Sequence, residues 1–197
     1  HEGGHALNAL LARDLEPVAY RMPPLEFAEV ASMGLEALAM EHLKEVYPAE
    51  DARRARIASL EGMVTTFPWV ATIDAFQQWI YTDPAHDCKT REENWLKIQA
   101  RFSANVDWSG FEAERAALWQ RQLHLYQVPF YYIEYALAQM GALQLWIRYR
   151  ENPAAAVADY KKALALGGSV KLPQLFEAAG LKFDPRGDGL GEWMAEV

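Results

Sequence analysis

Cysteine is almost missing from this 197-residue chain: Cys88 stands alone. That excludes an internal disulfide and leads to the expectation of a reducing, cytoplasmic compartment. Long apolar runs are missing as well. The most apolar stretch, Tyr135–Ile147, is broken by Gln139 and Gln144, well short of the roughly 18–20 residues that a bilayer span needs. Basic charge is scarce, with 19 Lys and Arg against 27 Asp and Glu, for a net charge of −8. Nucleic acid is therefore a poor main partner, since phosphate binding wants clustered Lys and Arg. Alternating strand patterns are absent, and the Asn-Gly and Asp-Gly turns of tight hairpins hardly occur.

What is present describes a globular, helical protein. Apolar residues make up 51% and charged residues 23%, enough to bury a core and too apolar for disorder. The length suits one domain. Alanine, the best helix former, is about one residue in six. The fold class expected is all-α. A first helix covers His1–Ala12, and the proline-bearing Arg13–Pro24 is a connector. A second helix is expected over about Leu25–Val46, ended by Pro48, and a long one over Ala49–Tyr81 with an interruption near Pro68. Thr82–Thr90 reads as a loop. Arg91–Phe102 and Phe111–Gln122 read as helices around the turn-rich Asn105–Gly110. Arg121–Arg150 reads as one long aromatic helix kinked at Pro129. Pro153 suits the first turn of a helix over Ala154–Leu166 that Gly167-Gly168 closes. A short helix near Leu172–Ala179 and an irregular tail complete the expectation.

The first five residues, His1-Glu2-Gly3-Gly4-His5, carry the strongest local signal. Residues four apart share a helix face, so His1 and His5 can aim two imidazoles at one ion. Glu2 lies one step around, where a carboxylate reaches a water on the metal rather than the metal itself. A catalytic zinc needs a third protein ligand and one open position. The metzincin spacing would put a histidine at position 11, which is Leu11. A ligand about 20 residues beyond the second histidine falls at Leu25, with Glu26 one step off and Glu29 four. Spacing alone leaves these carboxylates open.

The segment Phe27-Ala28-Glu29-Val30-Ala31-Ser32-Met33-Gly34-Leu35-Glu36 makes the pattern more specific. Together with HEGGHA, it resembles the oligoendopeptidase F branch of the oligopeptidase family that also contains thimet oligopeptidase. A third block, His124-Leu-Tyr-Gln-Val-Pro-Phe-Tyr-Tyr-Ile-Glu-Tyr135, is similar to that family's HxY…PFYYIEY segment. The blocks occur in the family's order, and the resemblance spans most of the chain. It implies a zinc metallo-oligopeptidase acting on short peptides, with one Zn²⁺ per chain held by His1, His5 and Glu29. Glu2 is the implied general base, while His124, Tyr132 and Tyr135 are implied to line the catalytic cleft. The opening on a motif rather than on Met leads to one further expectation. Residues 1–197 are read as the C-terminal part of a helical catalytic domain, with a missing N-terminal part of the same protein forming the other cleft wall. Position 3 departs from the family, which more often carries a larger apolar residue there. Gly4 matches it and is expected to allow close packing under the metal.

Several residues have plainer readings beside the functional ones. Glu36 follows Glu29 by two helical turns, so it is either an acceptor orienting a ligand histidine or a solvated glutamate. Tyr132 and Tyr135, three apart, are expected on one face, with Tyr126 joining them as a substrate contact. Tyr131 is expected to point into the core. His42, His86 and Cys88 lack partners at ligand spacing, and Asp184–Gly189 fails the EF-hand pattern at Arg186 and Ala195. Two other functions remain as alternatives. One is a catalytically silent helical peptide-binding scaffold, against which the intact Glu2 argues; the other is a zinc carboxypeptidase.

Overall fold

The computed structural model describes residues 1–103 and 106–197, and among these the regular structure is entirely helical. The helices are α1 (Glu2–Ala12), α2 (Leu25–Ala39), α3 (Ala49–Thr82), α4 (Cys88–Phe102), α5 (Glu112–Ala117), α6 (His124–Gln127), α7 (Ile133–Glu151), α8 (Pro153–Ala165), α9 (Leu172–Ala178) and α10 (Leu190–Met194). The chain divides into two compact units, His1–Val64 with Leu137–Val197, and Thr65–Ala136.

The first unit is built around α7. Nine consecutive residues, Ala138–Trp146, are buried, so this helix has no solvated face over more than two turns. Gln144, one of the two residues that break the apolar run, is satisfied inside. Its amide donates to Lys182 O at 3.0 Å and its carbonyl accepts from Lys182 N at 2.8 Å. Phe27, Val30 and Ala31 of α2 share a core cluster with Leu145, Tyr160, Leu164 and Phe176. Pro153 sits in the first turn of α8, where its missing N–H costs nothing, and the Asn152 side chain caps that helix through Ala155 N. Gly167 ends the following turn at φ +50°.

The second unit packs Ile73, Phe76, Trp95, Trp119 and Leu125 into one aromatic cluster. Buried Trp95 places its indole N–H on Arg115 O at 2.8 Å, which ties α4 to α5.

The structure redraws several expected boundaries. Helix α3 runs unbroken through Pro68. An interior proline costs about 3 kcal/mol, but Val70, Ile73 and Phe76 just beyond it are buried, each contributing about 1.5–3 kcal/mol. Burial wins. Pro68 has no N–H to return to the Val64 carbonyl, and the division between the units falls directly after Val64. The segment around Pro129 is a break rather than a kink. Helix α6 stops at Gln127, Phe130 lies at φ +64°, and α7 begins only at Ile133. A right-handed helix cannot pass through a left-handed residue that follows a proline.

Smaller differences concern helix ends. Leu25–Val46 divides into α2 and a 3-10 stretch, Met40–Glu45, while α5 passes into a 3-10 turn at Leu118–Arg121. The connector holds a 3-10 turn at Val18–Arg21, and the tail contains α10. Cys88 opens α4 instead of lying in a loop, because Asp87 caps that helix through Thr90 N at 2.7 Å. Of the expected turn at Asn105–Gly110, Asn105 lies outside the described residues.

Candidate functional site

The residues of the candidate metal site come from α1 and α2. His1 immediately precedes α1, His5 follows one turn later, and both rings face Glu29 on α2. The Oε2 atom of Glu29 lies 3.4 Å from His1 Nε2 and 3.8 Å from His5 Nε2. One ligand atom from each of the three residues falls within 4.8 Å of the other two. Tetrahedral zinc with ligands at roughly 2.0–2.2 Å would place them about 3.3–3.5 Å apart. The donor set therefore fits a zinc ion in type and size with small adjustment. Among the described residues it is the one such cluster of histidine, cysteine and carboxylate groups. Glu26 is outside it.

The surroundings explain how the cluster is held. Glu29 is 6% exposed, and a carboxylate that far from water demands partners. One is Ser32, buried three residues on, whose hydroxyl donates to Glu29 Oε2 at 3.0 Å. Glu36, exposed on the same helix, lies with Oε1 2.8 Å from His1 Nδ1. With the proton of His1 on Nδ1 and directed to Glu36, the Nε2 lone pair faces Glu29 and is available to a metal. The close approach of α1 and α2 depends on Gly4. A β-carbon at this buried position would land on the Ala31 carbonyl and the Ser32 backbone. The same Ala31 carbonyl accepts the Tyr160 hydroxyl, and Asn8 donates to Leu164 O at 3.0 Å, so α1 and α2 are each tied to α8. Gly3 has only the end of Leu35 nearby, at 3.5 Å. Glu2 is exposed in the first turn of α1, where a carboxylate also suits the positive helix end.

The third sequence block forms a cluster in the second unit. His124 Nε2 lies 3.2 Å from the Tyr135 hydroxyl, and His124 Nδ1 lies 2.6 Å from Gln122 Nε2. The imidazole stands edge-on to Tyr132 at 4.9 Å and to Tyr135 at 5.5 Å between ring centres. Tyr132 and Tyr135 are themselves 5.2 Å apart. Burial pushes the Tyr132 hydroxyl above the usual phenol range, against hydrogen bonds from Trp69 and Gln122 and the Arg121 charge. It stays protonated at neutral pH and able to donate.

Two tyrosines lie elsewhere than the sequence led us to expect. Tyr131 does not turn into the core; its ring meets His124 at 5.8 Å and Tyr135 at 5.5 Å. Helical spacing misplaces it because Tyr131 and Tyr132 precede α7, in the non-helical break after Pro129. Tyr126 is 54% exposed and stacks on Trp119 at 6.1 Å, apart from these ring contacts. Burial raises its hydroxyl, with the Arg91 charge opposing.

Sequence reasoning missed Ser32, Gln122 and Tyr131. Ser32 was discoverable, since i and i+3 share a helix face. Gln122, two residues before His124 and outside regular helix, left no periodic signal. Other histidines are engaged locally. His42 meets Glu45 and Tyr149 at 2.7 Å each, and His86 stacks on Trp79 while meeting the Arg91 guanidinium. Asp184 turns inward to accept from Gly189 N at 2.7 Å. No described helix is long and apolar enough to cross a membrane.

Comparison with known proteins bears on the whole arrangement. The sequence model of peptidase family M3 matches residues 1–191. An oligoendopeptidase F homolog from Borreliella burgdorferi is 24% identical over 180 residues, covering 86% of this chain and 29% of that protein. The solved structure of PZ peptidase A with an inhibitor superposes at a TM-score of 0.91 with 33% identity, over all of this chain and 36% of the other. A Bacillus anthracis protein assigned to oligoendopeptidase F superposes at 0.82 with 29% identity, over all of this chain and 32% of the other. The chain thus spans about a third of the length of these relatives.

Proposed function

This chain belongs to peptidase family M3, and from that premise we propose that it carries the metal-binding core of a zinc-dependent oligoendopeptidase that cleaves short peptides. The observation that carries the reading is the His1–His5–Glu29 cluster. Two imidazoles and one carboxylate, converging from two helices, are a donor set that leaves one tetrahedral position open.

His1, His5 and Glu29 would hold one zinc ion per chain. Zinc bound there would polarise the scissile carbonyl and lower the pKa of a water from 15.7 toward about 7. Glu2 is the general base. It takes a proton from the attacking water as the water oxygen bonds to the carbonyl carbon, and passes it to the amide nitrogen as the C–N bond breaks. Glu36 holds the His1 ring through Nδ1, and Ser32 holds the Glu29 carboxylate. Neither touches substrate in this scheme. Tyr132 and Tyr135 are assigned as donors to the peptide carbonyl oxygen, His124 as their partner in the cleft through its contact with Tyr135, and Tyr126 as a substrate contact, on the resemblance of their block.

Glu2→Gln tests the reading. An amide of the same shape can stay beside the water but cannot take its proton. Zinc content should remain at one per chain, while turnover of a fluorogenic short peptide by the full-length polypeptide falls on the order of 10²–10⁴-fold. Near-normal cleavage by a zinc-replete variant would overturn the mechanism.

A further inference from the structure

The contacts of His124 contain a directional constraint. The indole Nε1–H of Trp69 has no lone pair and can only donate. It lies 3.3 Å from Gln122 Oε1, and although Trp69 and Gln122 also bear on the Tyr132 hydroxyl, an N–H this close to the amide favours its oxygen on that side. The amide nitrogen of Gln122 then faces His124 Nδ1 at 2.6 Å. An NH₂ group can only donate, so Nδ1 must accept and carry no proton. The reversed amide would set NH₂ against the Trp69 N–H, donor against donor, at a buried side chain.

We propose that Gln122, itself anchored by Trp69, is a positioning residue that keeps His124 neutral with its single proton on Nε2. His124 then donates from Nε2 to the Tyr135 oxygen across the 3.2 Å contact. Tyr135 accepts there, so its own O–H is directed to a different acceptor. The chain of bonds runs Trp69 to Gln122 to His124 to Tyr135, every donor pointing the same way, and bonds so aligned polarise one another. All four residues belong to the second unit. The value of such a donor to catalysis rests on the peptidase reading above; the tautomer does not.

Histidine-selective ¹⁵N NMR on the full-length polypeptide tests this directly, with the His124 signals assigned by their loss in His124→Gln. The wild-type ring should show a pyridine-type Nδ1 and a pyrrole-type Nε2. A pyrrole-type Nδ1 would overturn the proposal without any further variant. Gln122→Glu keeps the shape but offers Nδ1 only an acceptor, so the pyridine-type Nδ1 signal should disappear; its persistence would also overturn the proposal. Trp69→Phe removes the anchor and should give a mixture of tautomers, whereas an unchanged single tautomer would show that Trp69 does not set the amide. The readout needs no peptidase activity, so the tautomer and the peptidase reading can fail separately.

Discussion

The His1–His5–Glu29 centre and the His124 cluster are two ways of gathering polar side chains. The first is assembled from two regular helices, where spacing of four residues aims His1 and His5 together and Gly4 sets how near α2 comes. The second is assembled on an interruption, where α6 has ended, Phe130 is left-handed and α7 has not begun. Helical periodicity governs one and does not reach the other. A ligand set needs fixed separations to within a few tenths of an ångström, and regular backbone supplies them. A hydrogen-bonding cluster needs directed donors, which an irregular segment can present if neighbours such as Gln122 and Trp69 hold it.

The largest expected effect breaks the first region alone. Glu29→Gln should abolish stoichiometric zinc binding, because a neutral amide is a much poorer ligand than the buried carboxylate. Glu26→Gln, one turn earlier on α2 and outside the cluster, should leave it intact. Metal content per chain after dialysis decides this, and equal losses in both variants would sink the assignment of Glu29. Next in size, Tyr135→Phe should leave zinc content unchanged and lower peptide turnover by on the order of 10²–10³, the usual cost of one oxyanion donor. Unchanged turnover would remove Tyr135 from the proposed donor set.

What could be read beforehand divides along the same line. The all-α class, helices at His1–Ala12 and after Pro153, and the pairing of His1 with His5 follow from spacing and capping alone. The choice of Glu29 over Glu26 needed the family resemblance, because both stand on α2 and spacing does not separate them. Pro68 and Pro129 carry the same local rule to opposite outcomes. Helix α3 continues through the first because buried side chains lie beyond it, whereas the second is followed by a left-handed Phe130 and ends a helix. That difference lives in tertiary packing, which a single residue's chemistry does not encode. Tyr131 was misplaced for the same reason, and Gln122 had no pattern to reveal it.

A smaller effect sharpens the first region. Ser32→Ala removes the hydrogen-bonding partner of one proposed ligand, and Glu36→Gln removes the charge, though not the acceptor oxygen, beside another, each sparing the ligand itself. Partners of this kind are worth about 10–100-fold in metal affinity, so zinc should bind more weakly by that factor in each. Competition against a chelator of known affinity measures it. The two should differ in one respect. Ser32 is buried and Glu36 exposed, so added salt should weaken the Glu36 contribution and hardly touch that of Ser32. An equal salt dependence would count against this account of how Glu29 is held.

The smallest expected effect separates the two neighbouring glycines. Glycine inside a helix costs about 1 kcal/mol relative to alanine, so by propensity alone Gly3→Ala and Gly4→Ala should stabilise α1 alike. Their surroundings oppose that symmetry. At position 3 a new methyl meets only Leu35 Cδ2 at 3.5 Å, an ordinary contact. Gly3→Ala should therefore gain stability, by up to about 1 kcal/mol, with zinc affinity unchanged. At position 4 the methyl would collide with the backbone of Ala31 and Ser32, which cannot rotate aside as a side chain can. Overpacking of that kind costs about 1–3 kcal/mol, and pushing α1 from α2 would also carry His1 and His5 away from Glu29. Gly4→Ala should accordingly lower both the melting temperature and zinc affinity, with the two losses coupled. Were both substitutions to raise the melting temperature equally, helix propensity alone would be at work, and the close approach of α1 to α2 would not be what sets the ligand distances.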